Sequence, residues 1–270
     1  REWRVAADVS SQFTSALCLL AAQQPVDPSR GPIRILLEGR QVSAPYVDMT
    51  LAMLNAHGIR CAREGLGVIA VHPGRPAHDV IPVEVDASAM SYFLAAAAVT
   101  GTSVEIAGIG RDSAQGDVEL ARALERMGCR LALGRDSLAL SGGPLCGIEI
   151  DMGAMPDVVL TLAAVAALAR GSTRITNIAS LRQKECDRIH AARLELERLG
   201  VRVDEGPDWL AIHPSGRLRP AVIRTYDDHR AAMAFAVLSL VAPGIEIEDP
   251  ECVAKSFPGF WEELERFKAH

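Results

Sequence analysis

The chain has 270 residues, 49% of them hydrophobic and only 4% aromatic, with a formal net charge of -6. That length suits one large domain or two of ordinary size, with a core of Ala, Val and Leu. No window approaches the ~18 uninterrupted apolar residues of a membrane span, the first residues do not read as a secretory leader, and the net negative charge disfavours nucleic acid as a partner.

In chain order, residues 10–22 read as an apolar helix and 33–38 as an alternating strand. Residues 45–57 form a second helix stopped by Gly58, and 59–63 with 68–72 form a hairpin. The same plan then recurs. A strand at 83–86 leads into a helix at 92–99, a strand at 103–106, a helix at 116–127 stopped by Gly128, and a hairpin of 129–133 with 137–140. A third pass runs through 148–151, 158–169, 173–178, 186–199 with Gly200, and 201–204 with 209–212. A fourth has 222–225, 231–241, 245–248 and 260–267. The order is β-α-β-α-β-β, at a spacing of roughly 65–80 residues, which implies duplication of one unit. Three units read as complete, and the fourth lacks its hairpin.

The cysteines, Cys18, Cys61, Cys129, Cys146, Cys186 and Cys252, are scattered with no C-x-x-C pair. Neither a zinc site nor a disulfide framework is expected, and a reducing, cytoplasmic setting is. Only three of the 28 basic residues are lysines: Lys184, Lys255 and Lys268. A chain so biased toward Arg keeps Lys where a compact ammonium is needed and a planar fork does not fit. Lys184 and Lys255 fall in the polar strings below; Lys268, in the tail, is expected only to be solvated.

Those strings sit where helices begin. The free N–H groups and positive dipole end of a helix favour anions there. Residues 181–188 read LRQKECDR, with four charged side chains among the last five; a solvated, capped helix start would look the same. Residues 225–230 read TYDDHR ahead of an apolar helix, where unused charge is costly. Asp157, in MPD, opens a wholly apolar helix and could be a cap, a catalytic group or both. Lys255 lies in VAKSFP. Ser10, Ser11 and Gln12 are hydrogen-bonding side chains at a helix start, and Ser43 and Tyr46 stand a helical turn apart; both sets are common caps as well.

Taken together, SSQ, VSAPYVD, DASAMSYFLAAAA, GIGRDSAQGD, MPD, LRQKECDR, TYDDHRAAMAF and VAKSFP occur in the order in which they resemble the EPSP synthase family, from Val5 to the C-terminus. LRQKECDR and DDHR are the most specific. The resemblance implies an α/β fold of two domains, each of three β-α-β-α-β-β units with helices inside (an inside-out α/β barrel). Residues 1–84 would be the last unit of the N-terminal domain and 85–270 most of the C-terminal domain. It also implies transfer of the enolpyruvyl group of phosphoenolpyruvate to the 5-hydroxyl of shikimate 3-phosphate, in the shikimate pathway to aromatic amino acids, without metal or cofactor. Glyphosate would compete with phosphoenolpyruvate.

Such chemistry needs a base for the hydroxyl, an acid for the methylene carbon and cations around phosphates and carboxylates. By motif, Asp157 resembles the group that handles the hydroxyl proton. Glu185 resembles the donor to the methylene, with Lys255 or His229 as partners. Gln12, Arg188, Arg230 and Lys255 resemble the phosphoenolpyruvate clamp. Ser10, Ser11, Gln12, Ser43, Tyr46, Asp157, Ser180 and Lys184 resemble the shikimate 3-phosphate side.

The sequence departs from the family at Cys186, where Ser or Thr is usual, at Ala231, where Met is common, and near Ala7, where a Gly is usual. The family's N-terminal Lys-Ser element and Gly-Asn-Ala-Gly-Thr string are not found. The chain is therefore expected to be part of a longer, monomeric enzyme, inactive alone, with strands from that remainder completing the fourth unit. Two alternatives stand beside this reading. One is an enolpyruvyl transferase with another acceptor, such as UDP-N-acetylglucosamine, although that enzyme lacks both specific strings. The other is a non-catalytic remnant.

Overall fold

Alternation decides the first sheet. Ile33 and Ile35 point inward, as do Ile69 and Val71 opposite them, because successive side chains of a strand face opposite ways. The computed structural model describes residues 1–268 apart from Pro28 and Pro82. Ala269 and His270, the end of the expected second domain, lie outside the described residues.

The chain divides into two units: Arg1–Val83 with Ala114–Gly116, and Glu84–Ser113 with the residues from Asp117 onward. Unit 1 runs β1 (Glu2–Ala6), α1 (Ser11–Ala22), β2 (Ile33–Glu38), α2 (Ala44–Ala56), β3 (Cys61–Arg63) and β4 (Val68–Val71). Its sheet has the order β1-β2-β4-β3, with β1 and β2 parallel and the other pairs antiparallel. Cys18, Ala21 and Ala22 of α1 and Val47, Leu51 and Leu54 of α2 join the inward-facing isoleucines in one core.

Unit 2 runs α3 (Ala87–Thr100), β5 (Ser103–Ala107), α4 (Leu120–Arg126), β6 (Arg130–Leu133), β7 (Ser137–Ser141), β8 (Glu149–Asp151), α5 (Val159–Ala166), β9 (Thr173–Thr176), α6 (Arg188–Arg198), β10 (Arg202–Gly206), β11 (Trp209–His213), β12 (Ala221–Ile223), α7 (His229–Ala236), β13 (Ile245–Ile247) and α8 (Phe260–Lys268). The sheet β8-β9-β11-β10 repeats the topology of unit 1, parallel pair first and hairpin last. The other two sheets are β5-β7-β6 and the parallel pair β12-β13. The repeat is therefore real, but two of the expected units differ from the plan. The expected strand at 83–86 is irregular, and among the described residues it joins no ladder. Its V-x-V alternation leads instead into a helix that starts at Ala87, earlier than expected, because the Asp86 carboxylate caps it by accepting from Ser88 and Ala89 N–H. The helix ends where Gly101 takes φ +75°, a left-handed conformation that lets its N–H reach Ala97 O.

The apolar helices are internal. α5 touches both α3 and α7, and all eight of its residues are buried. Ser91 and Thr161 hydroxyls bond across the α3–α5 contact at 3.1 Å, so these two polar atoms are paired in the interior. α8 covers α3 through an edge-on ring contact between Phe260 and Tyr92. Charged side chains gather at the N-terminal ends of α5, α6 and α7.

Candidate functional site

Three short segments bring charge to those helix ends. The first is a single 3-10 turn, Pro156–Val158, ahead of α5. Proline at its first position suits a helical start, and Asp157 follows. The Asp157 carboxylate makes no cap bond; it faces cations instead. The second is the loop 184–187. A 3-10 turn, Ala179–Gln183, ends there, and Asp187, not Cys186, caps α6 by accepting from His190 N–H. The third is the turn before α7, where Asp228 caps the helix by accepting from Arg230 N–H.

Arg188 is the hub. The residue is only 1% exposed, and its guanidinium donates to three carboxylates. Nε and Nη2 reach Asp228 at 2.7 and 3.2 Å, Nη2 also reaches Glu185 at 2.7 Å, and Nη1 reaches Asp157 at 3.2 Å. A buried guanidinium persists only with such pairing. Around it, Lys184 Nζ and Arg230 Nη2 each lie 3.2 Å from Asp157, on different oxygens, and Lys255 Nζ donates to Glu185 at 2.7 Å. Three carboxylates and four cations thus share one network.

Its electrostatics follow from that sharing. Burial alone would raise the Asp157 carboxyl, but Arg230, Lys184 and Arg188 outweigh it and hold the group below its ordinary value. Burial likewise opposes ionisation of Glu185, yet the Lys255 hydrogen bond and the Arg188 charge bring it down to about 2. His229 lies buried at the first position of α7, and burial together with Arg230 lowers its pKa. Its Nδ1 finds no hydrogen-bond partner among the described residues.

The structure brings together seven of the residues singled out by sequence: Asp157, Lys184, Glu185, Arg188, His229, Arg230 and Lys255. Arg188, expected to clamp a substrate, is here the brace of the carboxylates. Ser180 lies in the turn before this loop. Cys186 is half-buried and its thiol donates to Asp228 at 3.6 Å; burial, then Asp228, push it up to about 12, so it is a protonated donor and not a reactive thiolate. Lys268 pairs with Glu265 on α8. Among the described residues no cluster fit to hold a metal occurs, and all six cysteines are free.

The remaining expected residues stand in unit 1. Ser10 caps α1, its hydroxyl accepting from Gln12 N–H at 3.2 Å. Ser11 is buried and Gln12 exposed. Ser43 precedes α2 with φ +50° and makes no cap bond, a strained setting for a residue that is not glycine. Tyr46 N–H bonds to Ser43 O one turn on.

Two residues escaped the sequence reading. Asp228 is wholly buried and accepts two of the bonds of Arg188; its place in DDHR was the only signal. Glu195, on α6, is also wholly buried and has no motif around it.

Repeated β-α-β-α-β-β units around internal helices, with acids and bases gathered at the helix starts, define the enolpyruvyl transferase fold. The chain matches the family model for EPSP synthase (3-phosphoshikimate 1-carboxyvinyltransferase) over residues 1–264 and belongs to that family. A 3-phosphoshikimate 1-carboxyvinyltransferase of Sulfurovum sp. (strain NBC37-1) is 41% identical over 271 residues, covering 100% of this chain and 62% of that protein. Another, of Photorhabdus laumondii, is 43% identical over 263 residues, covering 96% and 60%. A solved EPSP synthase from Acinetobacter baumannii superposes with a TM-score of 0.80 at 27% identity, over 98% of this chain and 62% of that one. The enolpyruvyl transferase NikO from Streptomyces tendae, at 21% identity and TM-score 0.70 over 97% and 60%, shares the fold. The chain thus spans about three-fifths of the length of the relatives it matches.

Proposed function

We propose that this chain supplies part of an enzyme that transfers the enolpyruvyl group of phosphoenolpyruvate to the 5-hydroxyl of shikimate 3-phosphate, releasing phosphate. The observation that carries the reading is the Arg188 network: paired carboxylates held ionised by cations that a multiply charged anion could draw upon. Unit 1 is read as the last repeat of one domain and unit 2 as most of another.

In this reading Asp157 takes the hydroxyl proton. As the structure stands it is an ionised but weak base, because Arg230 and Lys184 stabilise its charge. An anionic substrate that engages those cations weakens that stabilisation and strengthens the base. Glu185 and Lys255 form the second pair. Glu185 is ionised and Lys255 holds the proton 2.7 Å away, so between them they carry one transferable proton for the methylene carbon. Phosphoenolpyruvate bound to Lys255, Arg230 and Arg188 would relax the hold of Lys255 and Arg188 on Glu185 and let it accept and pass that proton. The buried Nδ1 of His229 suits a bond to a substrate oxygen, since a polar atom left unpaired in the interior costs about 1–3 kcal/mol. Gln12 is assigned to the phosphoenolpyruvate side by family resemblance. Ser10, Ser11, Gln12, Ser43 and Tyr46 in unit 1, and Ser180 and Lys184 in unit 2, are assigned on the same basis to shikimate 3-phosphate. Soluble, cytoplasmic action fits the reading, and no described helix is long and apolar enough to cross a membrane.

The test is phosphate release from phosphoenolpyruvate and shikimate 3-phosphate by the protein that carries this chain. Asp157→Asn and Glu185→Gln, with the fold intact by circular dichroism, should each lower turnover by roughly 10²–10⁴. Rates within a few-fold of the parent would remove both assignments.

A further inference from the structure

The turn that delivers His229 and Arg230 is strained. Tyr226 and Asp227 both have φ near +56°, a left-handed conformation that L-residues with a Cβ adopt reluctantly and in succession rarely. No glycine relieves it. Such backbone persists only where its surroundings over-determine it.

Those surroundings are one face of α6. Arg188, at its first position, holds Asp228 at the end of the turn. Seven residues later, and so two turns along the same face, Glu195 holds the beginning. Its Oε2 accepts from Arg224 N–H at 3.0 Å, and its Oε1 accepts from the Tyr226 hydroxyl at 2.6 Å. Arg198 Nε, at 3.2 Å, is the remaining donor. A fully buried carboxylate is expensive unless it is satisfied. Two of its three donors come from the strained segment, and the phenol contact is a short, charge-assisted bond. The donors recorded for the Glu195 carboxylate, Arg198, Arg224 and Tyr226, all lie outside the seven residues of the cluster.

We propose that Glu195 and Tyr226 are positioning residues: their bond fixes residues 224–228 in the conformation that presents His229 and Arg230 to the Arg188 network. The inference rests on the proposed function only for its effect on turnover; the geometry at His229 stands apart from it.

Tyr226→Phe removes the hydroxyl and keeps the ring, so the packing survives. Two readouts apply. The first is the NMR titration of the His229 imidazole, assigned through His229→Gln. In the parent the midpoint lies below the ordinary 6.5; in Tyr226→Phe it moves up toward 6.5 as the turn relaxes. The second is kcat, which falls roughly tenfold, the scale expected of a small misplacement. The decisive variant is Tyr226→Phe with Asp227→Gly. Glycine takes positive φ without strain, so it restores the His229 midpoint and most of kcat if the bond exists to hold the backbone. An unmoved His229 in Tyr226→Phe, or a moved one that Asp227→Gly does not restore, overturns the proposal. A parent with no turnover defeats the proposed function instead, and the His229 titration still judges the brace.

Discussion

Two apolar helices, α1 of unit 1 and α5 of unit 2, resemble each other in composition but not in setting. α5, in unit 2, has every residue buried between α3 and α7. α1, in unit 1, buries Ser11, Thr14, Cys18, Ala21 and Ala22 and leaves Phe13 and Leu20 about half exposed, at 55% and 49%. Charge follows the same division. Unit 2 encloses Arg188 and Asp228 together, whereas the ion pairs of unit 1, such as Arg34–Glu64 and Arg4–Glu38, lie at the surface. An apolar helix becomes a core only when its neighbours surround it, and only then can a helix end hold charge away from water. Unit 2 therefore has stability and chemistry at stake in the same few residues.

The sharpest way to break this comparison is Asp228→Ala. It leaves Arg188 buried without its one fully buried partner among the described residues, and breaking a buried pair on one side costs about 3–5 kcal/mol. Hydrogen exchange read by mass spectrometry should lose protection in peptides of α5, α6 and α7 and keep it in β2 and β4. A loss shared equally by both units, or one below about 1 kcal/mol, as for an exposed pair, would show that the Arg188 network does not hold unit 2 together.

Packing gives the next test. Leu162→Ala in α5 removes atoms from a fully enclosed site and should destabilise by about 2–5 kcal/mol. Leu20→Ala in α1 should stay within about 0.5 kcal/mol. Urea unfolding measures both. Equal costs would mean that α1 is as enclosed as α5, contrary to the exposure seen here.

Most of this organisation was legible in the sequence, for physical reasons. Helical and strand periods, with Gly at helix ends, gave the repeat, and seven ionisable residues in four strings gave the cluster. What failed had equally physical causes. V-E-V-D at 83–86 alternates as a strand does, yet an extended lead-in to an Asp86 cap alternates too, and only a partner strand tells them apart. LRQKECDR showed charge without showing that Arg188, and not Cys186, begins the helix. Two left-handed residues at Tyr226 and Asp227 leave no mark, since no glycine stands there. Glu195, within L-E-L-E-R, has the look of a solvated helix face and is wholly buried.

The smallest effect expected is on pH, and its sign is set by the directions already given. Asp157, Glu185 and His229 all have folded-state pKa values below their ordinary ones. Each therefore binds its proton more readily in the unfolded chain, so stability falls as pH falls. The share of His229 goes first, as pH drops below 6.5. That of Glu185 follows below 4.5 and continues toward about 2. In unit 1 the corresponding groups are Asp27, held down mainly by hydrogen bonds from Ser29, and His72, lowered by burial and Arg60; neither belongs to a buried network. Unit 2 should thus lose more exchange protection than unit 1 on acidification. His229→Gln should abolish the first stage and leave the second. The shift should be only a few degrees in Tm, because Glu185 and Lys255 are partly hydrated and water screens their attraction. If unit 1 opened first on acidification, burial of the charge network would not be what separates the two units.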